Sequence, residues 1–402
     1  MSRLSRGRAA GVGVGLVAGI ALGAVLTLAI QGSASLPGRD SGADARSVES
    51  EPEQPEAFLV WTSGGLPVHF RHDVRGLDAI DRAVVVASDN AWLDGSWSEQ
   101  GEVVDDPRRG FAIPLEVASV VPREFAPFLP PADRSVTVAL AQGKGILGES
   151  SAKLRGLGPG AVLRFGGVRV EIAAVLADEL VGAHELMVSR AVGRSIGVSK
   201  DRYALLVPKG HPSDERLERI VRRILPPGLP VRVRAPGDTP YFRHGDAVLP
   251  PVRIKLLFGE FSAKPRAGTP GFLTLDPVWV RRSIETHRIP LLGRVTCHAA
   301  LFPQIRGVVR DLISEGLRDA IMSYSGCYAP RHILGDPGAG ISHHAWAIAL
   351  DINVQQGNLF GQTPHQDPRL VDVFEEWGFV WGGTFITPDG MHFEYMRELL
   401  EA

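Results

Sequence analysis

The sequence predicts an α+β protein: an N-terminal transmembrane helix, a mixed α/β middle domain, and a C-terminal α+β domain with a small antiparallel sheet. Three observations carry this. Residues 9–30 form one uncharged apolar run behind Arg3, Arg6 and Arg8. Through residues 57–240, short apolar stretches punctuated by Gly and Pro surround an amphipathic stretch. From about residue 250 to 402, Trp, His and Gly concentrate and polar residues recur at short spacings.

The run from Ala9 to Ile30 is long enough to cross the roughly 30 Å hydrocarbon layer as a helix. It also exceeds the roughly 7–15-residue core of a cleaved signal. Basic residues on its N-terminal side place that end in the cytoplasm and everything after it outside. The preference for arginine over lysine reads as GC-rich codon usage, so the expected location is a bacterial cell membrane, spanned once. Gly11, Gly15, Gly19 and Gly23 lie on one stripe of that helix. Such a stripe suits self-association or pairing with an envelope membrane partner. Residues 1–31 are thus a cytoplasmic tip and anchor, and 32–56, polar and rich in Ser, Pro and Glu, a flexible linker. A net charge of −2 over 402 residues offers nothing for nucleic acid to recognise.

In the middle domain, AFLVW, AVVVAS, SVTVALAQ, AVLRFGG and VRVEIAAVLAD read as short strands. SDERLERIVRRIL reads as a helix, with Ser213 as its cap and acids in the first turn. His69, His72, His184 and His211 are scattered singly and read as ordinary surface or core residues. The stretch GILGESSAKLRGLGPGAVLRFGGVRVEIAAVLADELVG resembles the extracytoplasmic domain of MacB/FtsX-type permeases, where a short helix, a Gly turn and a strand pair follow in this way. It holds no catalytic motif, so this domain reads as a spacer or binding module.

Function is sought in the last 150 residues or so. SHHAWAIALDIN, residues 342–353, sets two histidines before an apolar run and an aspartate. Downstream, PDG at 388–390 signals a turn, and MHFEY then alternates: Met391, Phe393 and Tyr395 face one way, His392 and Glu394 the other. Zinc hydrolases use three His, Asp or Glu ligands, leave one position for water and need a nearby carboxylate. His343 or His344, Asp351, His392 and Asp389 supply that set. The residues of the first pair lie seven or eight apart, about 10 Å along a helix and over 20 Å along a strand. The chain must therefore bend near the histidine, and Ala345 permits it. A hydrogen-bonded polar core would use the same residue types, and Asp389 suits a PDG turn on its own account.

The order S-x-H-x6-D, then WGG, then D-x-x-H resembles the VanY-type zinc peptidases, the D-alanyl-D-alanine carboxypeptidases and L-alanyl-D-glutamate endopeptidases of peptidoglycan stem peptides. SGCYAPR (325–331), SHHAWAIALDIN, EEWGFVWGG and PDGMHFE all take part. The resemblance implies Zn2+ held by His344, Asp351 and His392, with His343 at a variable position. It implies that Asp389 deprotonates the attacking water and then protonates the leaving amine, and that Arg331 stabilises the oxyanion. Ser342, Glu394 and Trp381 would support the ligands or the substrate. Ala347 is a departure, since the family usually has glycine there. The implied activity is D-Ala-D-Ala carboxypeptidase. The alternatives are an endopeptidase with the same machinery, or a non-catalytic wall-binding module of an envelope complex.

Cys297 and Cys327 both fall in this domain. Outside the membrane a disulfide between them is expected, closing a loop worth roughly 3–4 kcal/mol in the chain-entropy treatment.

Overall fold

A run of β-branched residues, Val84–Val86, sits at the heart of the middle region and explains its architecture. It belongs to a 14-residue strand, Ile80–Leu93. Val84 and Val86 enter one apolar cluster with Leu59, Trp61 and Leu205, whereas Val85 enters another with Phe58, Val60 and Leu206. Both faces of the strand are therefore covered, so the sequence there reads as a continuous apolar run instead of alternating. Around it an 11-stranded sheet runs in the order 232–234, 58–61, 201–208, 80–93, 113–120, 186–189, 145–148, 168–176, 162–165, 95–97, 103–105. Most neighbours are antiparallel; Ile113–Val120 beside Leu186–Ser189 and Gly145–Gly148 beside Val168–Leu176 are parallel.

In this computed structural model, residues 56–237, 242–246 and 249–396 are described. The expected membrane helix, its glycine stripe and nearly all of the linker lie outside them. Among the described residues no helix is long and apolar enough to cross a membrane.

One expected strand is wrong. SVTVALAQ forms a helix, Val136–Ala141, with Thr137 and Leu140 buried. An apolar run this short fits either period, and the i, i+3 pair facing the sheet decides it. The capped helix is found as Asp214–Arg222, with the Ser213 hydroxyl accepting from the Arg216 amide at 3.4 Å.

The C-terminal region has its own core, from Leu249 to Met396. Its four-stranded antiparallel sheet has the order Tyr324–Gly326, Ala349–Ile352, His392–Tyr395, Phe379–Trp381. The helices Phe302–Ser314 and Pro368–Glu376 accompany it. Gly307 lets them close around Trp377, whose ring would lie 2.4 Å from any Cβ at that position. The mixed α+β architecture with a small C-terminal sheet is as the sequence predicts.

Glu51–Ala402 make one compact unit, and buried charge joins its two regions. Lys255 of the C-terminal region lies 2.7 Å from Glu185 of the sheet and 2.9 Å from Glu260. Arg155 reaches Glu185 at 3.2 Å, Asp105 at 3.1 Å and Glu260 at 2.9 Å. Lys255 also donates to the Pro114 carbonyl at 2.6 Å. Buried ions are tolerated only when paired and hydrogen-bonded like this, and removing one partner costs about 3–5 kcal/mol. A bridge between Ala112 and Ala263 joins the same two regions through backbone.

Candidate metal centre

The bend is built in two steps. Ser342 accepts from the His344 amide at 3.3 Å and starts a 3-10 turn, His343–Ala345. Ala347 then takes φ = 57°, the left-handed region in which a side chain costs roughly 1–2 kcal/mol. The tight turning therefore falls at Ala347, two residues beyond Ala345, where the sequence alone places it. A glycine there would carry no such cost. After the turn, Ala349–Ile352 pairs with His392–Tyr395 so that Asp351 stands opposite His392 and Ala349 opposite Glu394. Residues two apart on a strand share a face, so Asp351, His392 and Glu394 project to the same side.

One ligand-type atom from each of His344, Asp351 and His392 lies within 4.8 Å of the others. His344 Nε2 is 3.3 Å from Asp351 Oδ1, and His392 Nδ1 is 3.5 Å from the same oxygen. Tetrahedral ligands at zinc distances of about 2.0–2.1 Å would stand about 3.3–3.4 Å apart. His344 Nε2 and Asp351 Oδ1 are buried, yet neither has an aligned hydrogen-bond partner. Two close, buried and unsatisfied atoms suit a shared cation, and the residues fit zinc.

The other nitrogens are spoken for. His344 Nδ1 lies 2.9 Å from the Cys327 carbonyl, which can only accept, so the proton sits on Nδ1 and Nε2 is free to ligate. Cys327 is itself tied to Cys297 by a disulfide, Cα–Cα 5.5 Å. His392 Nε2 is 3.1 Å from Glu394 Oε2. That same oxygen is 2.5 Å from His343 Nδ1. Glu394 is thus buried and serves two histidines.

The electrostatics match. Burial would depress the His392 imidazole, but its close contacts with Asp351 and Glu394, with their charges, push it up to about 10. Burial would raise Asp351, yet its contacts with His344 and His392 hold it well below the usual carboxylate range. Glu394 is held low in the same way, chiefly by His343 against the cost of burial.

Asp389 behaves differently. Burial, aided by the negative charge of Asp351, keeps its carboxyl above the ordinary value despite His392. Its Oδ1 is buried and without a partner. The WGG motif is what allows this placement. The Asp389 amide donates to the Gly382 carbonyl at 2.8 Å. A Cβ on Gly382 would meet the Asp389 carbonyl at 2.7 Å. Trp381 donates from its indole to the Gly390 carbonyl at 2.8 Å, which braces the PDG turn. Arg331 is half-buried, lends Asp389 a weak favourable charge and contacts the His332 carbonyl at 3.4 Å. Ser342 is a turn cap, its hydroxyl accepting from the His344 amide.

Sequence reasoning missed His343, set aside as variable, and every contribution of the middle region. Ser63 meets the Thr387 hydroxyl at 2.8 Å. Asp246 accepts from the Ile386 amide at 3.0 Å, and Arg232 donates to the Thr384 carbonyl at 3.3 Å. The loop before Asp389 is thereby held by residues more than a hundred positions away. No local pattern announces such contacts.

This geometry offers three residues that could hold a metal ion, with a carboxyl beside them, on an α+β domain. Residues 336–395, which contain all four of these side chains, match the family Peptidase_M15_4, described as D-alanyl-D-alanine carboxypeptidase. The match lies wholly within the C-terminal region, which is thus similar to a peptidase family there. The middle region resembles solved extracytoplasmic transporter domains. One is the periplasmic region of MacB from Actinobacillus actinomycetemcomitans, with 12% identity and a TM-score of 0.32, covering 46% of this chain and 90% of that one. Another is the extracellular domain of the ABC-type transporter YknZ from Gram-positive bacteria, with 13% identity and a TM-score of 0.27, covering 44% and 98%. No curated protein matched the chain.

Proposed function

We propose that this chain is an extracytoplasmic zinc peptidase that trims peptidoglycan stem peptides, acting as a D-alanyl-D-alanine carboxypeptidase. The observation that carries the reading is the pair of buried, unsatisfied atoms on His344 and Asp351, gathered with His392, and the unmet Oδ1 of Asp389, which feels the charges of all three. A hydrogen-bonded polar core meets most of its buried polar atoms. The Cys297–Cys327 disulfide supports an oxidising compartment.

His344, Asp351 and His392 would hold the metal, with Glu394 and the Cys327 carbonyl fixing the ring orientations. Bound zinc supplies a Lewis acid that polarises the scissile carbonyl and acidifies water. Asp389 accepts the proton of the attacking water, and its raised affinity for that proton lets it pass the proton to the leaving amine. Arg331 faces the negative charge that develops on the carbonyl oxygen.

The test uses the zinc-loaded full chain with a stem pentapeptide ending in D-Ala-D-Ala, followed by mass spectrometry. Release of one D-alanine, abolished by a chelator and reduced about 10²–10⁴-fold by Asp389→Asn at unchanged zinc content, is expected. A zinc-loaded, folded protein that releases nothing sinks the reading.

A further inference from the structure

Between the two regions lies a cavity of about 200 Å³, walled by Trp61, Asn90, Arg202 and His244 from the middle region and by Ile333 and Gly340 from the C-terminal one. Its position relates it to the metal centre. Gly340 lies two residues before Ser342, the cap of the His344 turn. Ser63, also on the cavity wall, bonds Thr387, two residues before Asp389. Gly245 on the wall precedes Asp246, which holds the Ile386 amide and feels the charge of Glu394. The cavity is therefore flanked by both loops that carry the catalytic groups.

We propose that this cavity is a subsite for the peptide chain of the substrate, built mainly by the middle region. The inference rests on the peptidase reading and extends it.

The chemistry of the wall selects the occupant. Its charges are already paired: Arg202 with Asp89 at 3.2 Å, Glu116 with Arg243 at 3.0 Å. A charged ligand finds no free counter-ion among them. Asn90 on the wall carries a carboxamide, which brings one N–H donor group and one carbonyl acceptor, and His244 adds a ring. Burial and the charge of Arg243 keep the His244 ring neutral, so it can accept or donate. An uncharged group that brings one carbonyl and one N–H satisfies such a wall, and a peptide unit is that group.

Gly340 gives a clean way to close the cavity. A Cβ there would meet only Ile333 Cδ1 at 3.7 Å and Asn90 Nδ2 at 3.8 Å, ordinary contacts, and its backbone is not left-handed. Gly340→Leu therefore fills the space without forcing the backbone. In the zinc-loaded full chain carrying Asp389→Asn, calorimetric titration would compare acetyl-D-Ala-D-Ala with the pentapeptide stem. The pentapeptide is expected to bind about 10-fold tighter, the yield of one well-satisfied contact set of about 1.4 kcal/mol. Adding Gly340→Leu, or separately Asn90→Leu, should bring both peptides to the same Kd. Equal affinity from the start, or a gain that survives both substitutions, overturns the subsite while the peptidase reading stands. Should the unsubstituted zinc-loaded chain cleave neither peptide, the peptidase reading falls and the subsite with it.

Discussion

Two buried histidines show what separates a structural ring from a ligand. His184, in the middle region, has both nitrogens met by protein: Nδ1 at 2.8 Å from the Val181 carbonyl and Nε2 at 2.8 Å from the Ser88 hydroxyl. Burial keeps it neutral, outweighing the nearby Glu116 charge. His344 also has Nδ1 on a carbonyl, but its Nε2 faces Asp351 without an aligned bond. Both rings are buried, so burial distinguishes nothing. The difference lies in one unmet nitrogen beside a carboxylate, and that is where a cation fits.

The comparison breaks most sharply at Asp351. Asp351→Ala removes a shared neighbour of both histidines, and zinc measured per chain should fall to background, while His184→Gln leaves it whole. Substituting a residue that only orients a ligand typically costs 10–100-fold in metal affinity. Glu394→Gln keeps the shape but loses the charge shared by His343 and His392, so a competition titration should show a loss in that range. An unchanged affinity would mean that Glu394 is a packing residue only.

Acidity separates the clusters next. In the metal-free chain His392 has a folded value near 10, above its ordinary 6.5. Its contribution to stability is complete below about pH 6.5 and fades as pH rises toward 10. His184 and His244 are depressed, so they do the reverse: their contribution is complete above about 6.5 and is lost on acidification below it. Urea midpoints across pH 5–9 should fall on both sides. His392→Gln should flatten the alkaline side, and His244→Asn the acid side. The smallest effect is local: Ala347→Gly relieves the left-handed strain and should stabilise by about 1 kcal/mol in the same assay. A loss instead would show that the lower entropy of alanine in the unfolded chain outweighs the strain.

What was legible beforehand is what short spacing encodes. The alternation MHFEY placed His392 and Glu394 on one face, because strand period is local, and the structure gathers both there with Asp351. The Ser213 cap was readable for the same reason. SVTVALAQ was not, since so short a run cannot declare a period without the surface it packs on. His343 was passed over because nothing adjacent reveals Glu394, 51 positions away.

The sequence by itself determined the candidate ligand types, their order along the chain and the Gly382 that lets Asp389 approach, all set by residue chemistry within a few positions. Tertiary structure alone decided the rest: that the chain turns at Ala347, that one carboxylate serves two rings, and that Ser63, Arg232 and Asp246 brace the loop before Asp389 from the middle region. Those contacts join residues up to 324 positions apart. They exist only because buried charge and apolar packing bring the two regions together, and no periodicity along the chain records it.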